Sequence, residues 1–182
     1  MNRPPPGHAT LAAEIGLAEL REVALLPEVE HRASAMFLSI PATADLPSCP
    51  TPLTNLEVAQ RAGLLWVARV NASPVGFALV EPLCDGLHLE ELDVLPAHGR
   101  KGIGRALIRE VCRHAAARRA VLTLCTFRDV PWNAPFYERC GFRPLGDDEL
   151  WPALSARVRE EAAHGLSAHL RVAMKFTGDA ES

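Results

Sequence analysis

Three glycines alternate with cations in the segment His98-Gly99-Arg100-Lys101-Gly102-Ile103-Gly104-Arg105. Apolar residues recur at helical spacing from Gly104 onward, so this segment is predicted to open a helix. A helix N-terminus carries partial positive charge and unpaired N–H groups, and cations there are mildly unfavourable unless an anion binds among them. Because the glycines leave the backbone N–H groups accessible, the segment predicts a phosphate or pyrophosphate site. The alternative is a tight turn with solvated arginines.

The apolar strand predicted just before this loop, over residues 87–95, also carries polar side chains. A partly buried carboxylate can have its pKa raised into the range of a general base, which favours Glu91 and Glu90 over His88. Strand alternation places His88 and Glu90 on one face and Glu91 on the other, and a β-bulge would exchange them. In an ordinary strand all three would be solvated side chains.

A second segment, WNAPFYERCGF at residues 132–142, contains the only tyrosine of the chain, Tyr137. Considered alone, a tyrosine next to Phe136 is typical of a packed aromatic pair. The five cysteines are odd in number and form no C-x-x-C pair, which is typical of reduced thiols rather than disulfides or a zinc cage.

Other chemistries are excluded by missing partners. The H-x-E fragment at His88 lacks the P-C-x-x-C of zinc deaminases, and no metal is expected. The glycine loop lacks the G-K-[ST] of a P-loop. Neither Cys125 nor Cys140 has a histidine at a spacing that would activate it locally, so no acyl-enzyme nucleophile is assigned.

The elements that must hold these residues follow from periodicity and turn signals. Helices are predicted over residues 27–38, from Thr54 to Gly63 with Thr54 and Glu57 as a capping box, and over 104–118, 133–140 and 152–164. Strands are predicted over 18–22, 64–70, 75–83, 87–95, 120–127 and 170–176, and a proline-rich loop over 44–52.

Turn chemistry predicts how the strands pair. Asp85-Gly86 is a hairpin signal, so strand 87–95 should run antiparallel to strand 75–83. The strand–helix–strand order that follows indicates a parallel crossover. The result is a mixed, mostly antiparallel sheet with helices on its faces and no internal repeat.

Composition limits the function classes. With 182 residues, 48% hydrophobic and 23% charged, the chain suits one globular domain, after a loose proline-rich segment over residues 1–10. A net charge of −3 excludes general nucleic-acid affinity. No apolar run reaches membrane-spanning length and the N-terminus shows no signal peptide, so the expected location is the cytoplasm.

Together, LEELDVLPAHGRKGIGRAL and WNAPFYERCGF resemble the GNAT superfamily of acyl-coenzyme A-dependent N-acyltransferases. The resemblance is good over residues 64–145. It implies a single GNAT-like α/β (α+β) domain over residues 11–178, with a splayed sheet of about six to seven strands. It also implies an acetyltransferase that uses acetyl-CoA as co-substrate and a small-molecule or protein amine as acceptor. A homodimer is compatible with the family, and the sequence does not decide it.

The resemblance assigns roles to particular residues. Leu92, Asp93 and Val94 would pair with the pantetheine arm where a β-bulge splays the sheet, and the Val94 N–H would face the thioester oxygen. The residues expected around the rest of the cofactor are Gly99, Arg100, Lys101, Gly102, Ile103, Gly104, Arg105, Asn133, Phe136 and Arg139. The sequence departs from the family pattern at Gly99, where Gln or Arg is usual, and at Cys125, where some members carry a glutamate base.

Two functions follow from the resemblance. In the first, an amine attacks the thioester directly, Glu91 or Glu90 removes a proton, and Tyr137 protonates the departing thiolate. In the second, a GNAT-like domain holds acyl-CoA as a sensor without turnover. The acceptor pocket is predicted from the segments 38–54, 127–132 and 147–151.

Overall fold

The computed structural model describes residues 13–40, 50–163 and 170–178. The predicted loose segment 1–10 and most of the predicted loop 44–52 lie outside these ranges. The described strands are β1 (Glu14–Leu17), β2 (Leu65–Val70), β3 (Ser73–Leu83), β4 (Gly86–Val94), β5 (Val121–Phe127), β6 (Phe142–Pro144) and β7 (Arg171–Phe176). The described helices are α1 (Leu20–Val23), α2 (Leu26–Ser34), α3 (Leu53–Ala62), α4 (Ile103–Ala117), α5 (Ala134–Glu138) and α6 (Pro152–Ala163).

The seven strands form one open mixed sheet in the order β1-β2-β3-β4-β5-β7-β6. Every neighbouring pair is antiparallel except β4 and β5, which are parallel and joined by α4. The predicted hairpin and crossover are therefore confirmed, as is the predicted fold class.

Helices cover both faces of the sheet. Helix α4 buries Leu107, Val111 and Ala115 and leaves its arginines outward, as the apolar spacing predicts. On the opposite face, α6 reaches β4 through contacts of Arg157 and Glu161. Helix α2 also contacts β3 and β4. In the described part of the chain, no helix is both long and apolar enough to span a bilayer.

Two local predictions are wrong. The strand lies earlier, at β1 (Glu14–Leu17), and residues 18–22 are instead a two-residue link followed by the start of helix α1. The Glu22 carboxylate accepts hydrogen bonds from the Glu19 N–H (2.7 Å) and from Arg69 Nε and Nη2 (2.6 Å each), so a partner 47 residues away helps fix this helical turn. Short-range periodicity cannot register such a partner.

The predicted capping box at Thr54 is also wrong, because α3 begins one residue earlier, after Pro52. The Thr54 hydroxyl contacts the side chain of Asn55 rather than the start of the helix. The predicted stop is confirmed: Gly63 ends α3 with φ of 68°. The three-residue strand β6 is absent from the prediction, since it is too short to show a period.

Candidate active site

A β-bulge lies where strand β4 leaves its parallel neighbour. Leu89 pairs with Val80 of β3 and Glu91 pairs with Leu79, which leaves Glu90 as the extra residue. The pairing of β4 with β5 ends at Leu89, although β4 continues to Val94. The outer edge of residues 91–94 therefore has no strand paired to it within the described sheet. The predicted bulge and splay are both present.

The bulge also decides which β4 side chains share a face. Leu89 and Leu92 pair with Val80 and Ala78, which are two apart on β3, so these two leucines share the α4 face. By the same register His88 and Glu91 share the opposite face, together with Asp93. The bulge thus places Glu91 on the same face as His88. This is the exchange of faces that a β-bulge in this strand was expected to cause.

Three carboxyl groups converge on that opposite face: Glu91, Asp93 and Glu30 of α2. Burial raises the pKa of Asp93 to about 8, with the charge of Glu30 adding to the shift. Burial also raises the pKa of Glu91. The negative charges of Asp93, Glu30 and Glu90 raise it further, and the positive charge of Arg171 opposes the shift. Asp93 Oδ2 is buried and finds no hydrogen-bond partner in the described residues. Two such carboxyl groups share protons as a pair, and one of them accepts a proton near neutral pH.

Tyr137 approaches the same gap from α5. Its ring packs edge-on against Phe136 (5.1 Å between centroids) and Phe142 (6.0 Å), so its position is fixed. Burial raises the pKa of the Tyr137 phenol, and the negative charges of Glu91 and Asp93 raise it further. The phenol is therefore protonated and can act as a proton donor but not as a base.

The glycine loop opens helix α4 as predicted. Gly102 precedes the helix with φ of 80° and no side chain caps the first turn, so the N–H groups of that turn have no side-chain acceptor from the cap position. Arg100 is also left-handed, with φ of 56°, and Lys101 Nζ donates to the Ala97 carbonyl at 2.9 Å. The backbone around this helix start is bent so that N–H groups and cations lie together.

The second predicted segment lies against this helix start. A side-chain carbon at Gly104 would come within 3.4 Å of the Phe136 ring. Burial raises the pKa of the Cys140 thiol, and Arg105 in the first turn of α4 and Arg139 at the end of α5 oppose the shift, so both guanidinium groups lie near this thiol. Asn133 directly precedes α5, and its carbonyl accepts hydrogen bonds from the N–H groups of Phe136 and Tyr137.

Glu90, the other predicted base, has a different environment. Its carboxylate contacts the guanidinium of Arg157 on α6, which also pairs with Glu81 at 3.3 Å. Glu90 is therefore paired with a cation, whereas Glu91 faces the carboxyl groups of Asp93 and Glu30. Cys125, at the position of the glutamate base of some family members, is a thiol whose pKa is raised by burial.

Two residues of the site escape sequence reasoning. Glu30 lies on α2, and its carboxylate accepts the Thr51 N–H at 2.9 and 3.0 Å. Arg171 lies at the start of β7, above the Phe127 ring, and its charge acts on both Glu91 and Tyr137. Both come from elements distant in sequence, and no motif marks either one.

A cavity lies beside Arg171. It is lined by Arg128, Leu145, Asp147, Leu150, Val158, Arg171, Val172 and Ala173. Two of the three segments predicted to line the acceptor pocket, 127–132 and 147–151, contribute residues to this cavity. Much of the third segment, 38–54, lies outside the described residues.

A mixed open sheet, splayed between a parallel pair and flanked by helices, is the α/β fold of acyl-CoA acetyltransferases. Solved structures share it at low identity. PaiA N-acetyltransferase from Thermoplasma acidophilum in complex with coenzyme A is 14% identical, with a TM-score of 0.62 over 92% of this chain and 99% of that one. The ribosomal-protein-S18-alanine N-acetyltransferase from Escherichia coli is 18% identical, with a TM-score of 0.61 over 93% and 99%.

A third structure, a GNAT family acetyltransferase from Brucella melitensis in complex with acetyl-CoA, is 20% identical. Its TM-score is 0.53, over 72% of this chain and 82% of that one. The family model of the acetyltransferase (GNAT) domain matches residues 61–144, the span that contains the bulge, the glycine loop and Tyr137. This part of the chain therefore matches a GNAT domain, and the chain shares the fold of these acetyltransferases.

Proposed function

We propose that the chain is an N-acetyltransferase that moves the acetyl group of acetyl-CoA to a primary amine by direct attack. The observation that carries the proposal is the splay between β4 and β5, which leaves a strand edge at residues 91–94 between the glycine loop and Tyr137. The structural neighbours that hold coenzyme A or acetyl-CoA support the choice of cofactor.

The cofactor would lie along that edge. Leu92, Asp93 and Val94 would pair with the pantetheine arm, with the Val94 N–H directed to the thioester oxygen. The pyrophosphate would bind at the start of α4, held by the backbone from Gly99 to Arg105. Asn133, Phe136 and Arg139 would line the other side.

Proton donor and proton acceptor would act from opposite faces of the gap. The amine, after losing a proton to the Glu91–Asp93 pair, attacks the carbonyl carbon and forms the amide bond. The carbon–sulfur bond breaks, and the leaving thiolate takes the proton of the Tyr137 hydroxyl. The proton that the nitrogen loses as the amide forms restores the Tyr137 hydroxyl, and the carboxyl pair releases its proton to water, so the site returns to its starting state.

Cofactor binding is tested by charge reversal at the helix start. Arg100, Lys101 and Arg105 are each replaced by Glu, and coenzyme A affinity is measured by calorimetry. We expect affinity to fall at least 100-fold, on the order of 3 kcal/mol for three lost charge-assisted contacts. In the matched control, Glu replaces Arg109 within α4 and Arg118 and Arg119 just after it. This variant has the same change in net charge, placed away from the start of the helix. Equal losses in both triple variants would refute the anion site.

The second candidate, a sensor that binds acyl-CoA without turnover, differs in one measurable respect. Release of free coenzyme A thiol is followed with a panel of primary amines, from polyamines and amino acids to peptides with a free N-terminus or lysine. Amine-dependent thiol release is expected of the transferase. Tight binding of acetyl-CoA with no amine-dependent release across the panel would favour the sensor.

A further inference from the structure

His88, Cys125 and Glu161 form a buried cluster that acetyl transfer does not use. They come from β4, β5 and α6, and their metal-ligating atoms all lie within 4.8 Å of one another. His88 is 2% exposed and Glu161 is 8% exposed. The three residues are 37 and 36 positions apart along the chain, so no sequence motif marks them.

Neighbouring groups hold the imidazole and the carboxylate in a ligating orientation. His88 Nδ1 lies 2.8 Å from the Thr123 hydroxyl, which leaves Nε2 facing the cluster. Arg171 donates through both Nε (3.1 Å) and Nη2 (2.9 Å) to Glu161 Oε2, which leaves Oε1 facing His88. Hydrogen bonds of this kind, to the far nitrogen of a histidine and the far oxygen of a carboxylate, are typical outer partners of metal ligands.

The spacing also suits an ion. His88 Nε2 and Glu161 Oε1 are 3.9 Å apart, too far for a hydrogen bond. Bonds from zinc to nitrogen and oxygen are each about 2.0–2.2 Å, so one ion fits between the two atoms after they close by about half an ångström.

The charge of the surrounding network favours a cation. Arg157 and Arg171 face four carboxylates, those of Glu81, Glu90, Glu160 and Glu161, which leaves an excess of two negative charges. A divalent ion bound with a Cys125 thiolate would reduce this excess to one negative charge.

We propose that His88, Cys125 and Glu161 bind one zinc ion, or a divalent cation of similar preference, with water in the fourth position. Binding forms bonds to Nε2, Sγ and Oε1 and releases the Cys125 thiol proton to solvent, with no change of oxidation state. The ion would tie α6 to β4 and β5 beneath the splay. The cavity beside Arg171 lies next to this cluster, since Ala173 in its wall is the strand partner of Cys125. This site departs from the sequence-based expectation that the chain holds no metal.

Cobalt is the probe, because its thiolate charge-transfer and visible bands report both a sulfur ligand and coordination number. The full chain is stripped with chelator and titrated with Co²⁺. We expect saturation at one equivalent, a thiolate band, and displacement by Zn²⁺. Cys125→Ser and His88→Gln should abolish the thiolate band, and Cys84→Ser, which changes an exposed thiol elsewhere, should retain it.

Thr123→Val keeps all three ligands and removes only the partner of His88 Nδ1, so we expect it to weaken cobalt affinity about 10–100-fold. This variant tests the site even if the ligand variants do not fold. The proposal is overturned if the wild-type chain shows no thiolate band. A band that survives Cys125→Ser but disappears in Cys84→Ser would overturn it equally. Either result would leave the cluster as a hydrogen-bonded network in which Cys125 donates to Glu161.

Discussion

At the scale of single residues, Tyr137 has the environment of an acid rather than of a structural aromatic alone. Its ring packs on two phenylalanines, and in addition to burial the negative charges of Glu91 and Asp93 raise the pKa of its hydroxyl. A phenol that holds its proton tightly can give it only to a stronger base held close in a desolvated site, such as a departing thiolate.

Tyr137→Phe is therefore expected to lower kcat about 10²–10⁴-fold, the usual range for a lost general acid. Because the ring and its packing remain, coenzyme A affinity measured by calorimetry should change less than two-fold. Thiol release and calorimetry on the same preparation provide both readouts. Unchanged kcat would refute the role of the hydroxyl as proton donor.

The carboxyl pair predicts a pH dependence of activity. An amine can be deprotonated only by the ionised pair, so kcat/KM should rise with pH and level off above about 8, where Asp93 titrates. Glu91→Gln and Asp93→Asn should each lower kcat/KM at least 100-fold and remove this rise. Glu90→Gln is the matched control, because Glu90 pairs with Arg157, and it should keep the profile. A profile unchanged in both Glu91→Gln and Asp93→Asn would place the base elsewhere.

At the scale of elements, the start of α4 is built to expose its N–H groups. Gly102 is left-handed at the last position before the helix, with no atom within 4 Å of where a Cβ would lie. Any side chain there would be strained by its backbone rather than by crowding.

Gly102→Ala is expected to disturb the loop and weaken coenzyme A binding at least ten-fold. Gly63→Ala is a close control, because Gly63 is also left-handed with open space around it but lies at the end of α3. Both variants should lose about 1 kcal/mol of stability in urea unfolding. Only the first should lose affinity for coenzyme A, and similar affinity in the two would contradict a role for this loop.

Sequence patterns predict the elements better than they predict the site. The apolar stripe of α4, the Asp85-Gly86 hairpin and the alternation of β7 each depend on neighbours a few residues apart, and each prediction is confirmed. Helix α1 depends instead on the Glu22–Arg69 ion pair, and the carboxyl cluster depends on Glu30. Such contacts join residues tens of positions apart, and a single sequence carries no periodic signal for them.

At the scale of the whole molecule, α6 makes one face of the sheet polar. Its Arg157 pairs with β3 and β4 and its Glu161 with β7, so a buried ionic network lies under the gap. Glu30 on α2 adds a third carboxyl group next to Glu91 and Asp93. The ionisable groups at the reactive gap are therefore held on one face of the sheet by α2 and α6, and their protonation is coupled to folding.

This coupling predicts how stability varies with pH. The pKa of Asp93 is raised from 3.8 to about 8 on folding, and those of Glu91 and Glu30 move in the same direction. The folded state then binds more protons than the unfolded chain between these values, so this contribution is fully present below pH 3.8 and is lost as pH rises through about 8.

Asp93→Asn, which keeps the uncharged shape of the protonated acid, should raise the midpoint of urea unfolding at pH 8 more than at pH 5. Asp129→Asn removes the same charge from an exposed position and should shift the two midpoints equally. Because a neutral side chain replaces one that must ionise within a partly buried acidic cluster, a gain in stability that grows with pH is the signature of the coupling. A larger gain at pH 5 would mean that Asp93 is stabilised as an anion, and the assignment of the carboxyl pair as a shared proton acceptor would be wrong.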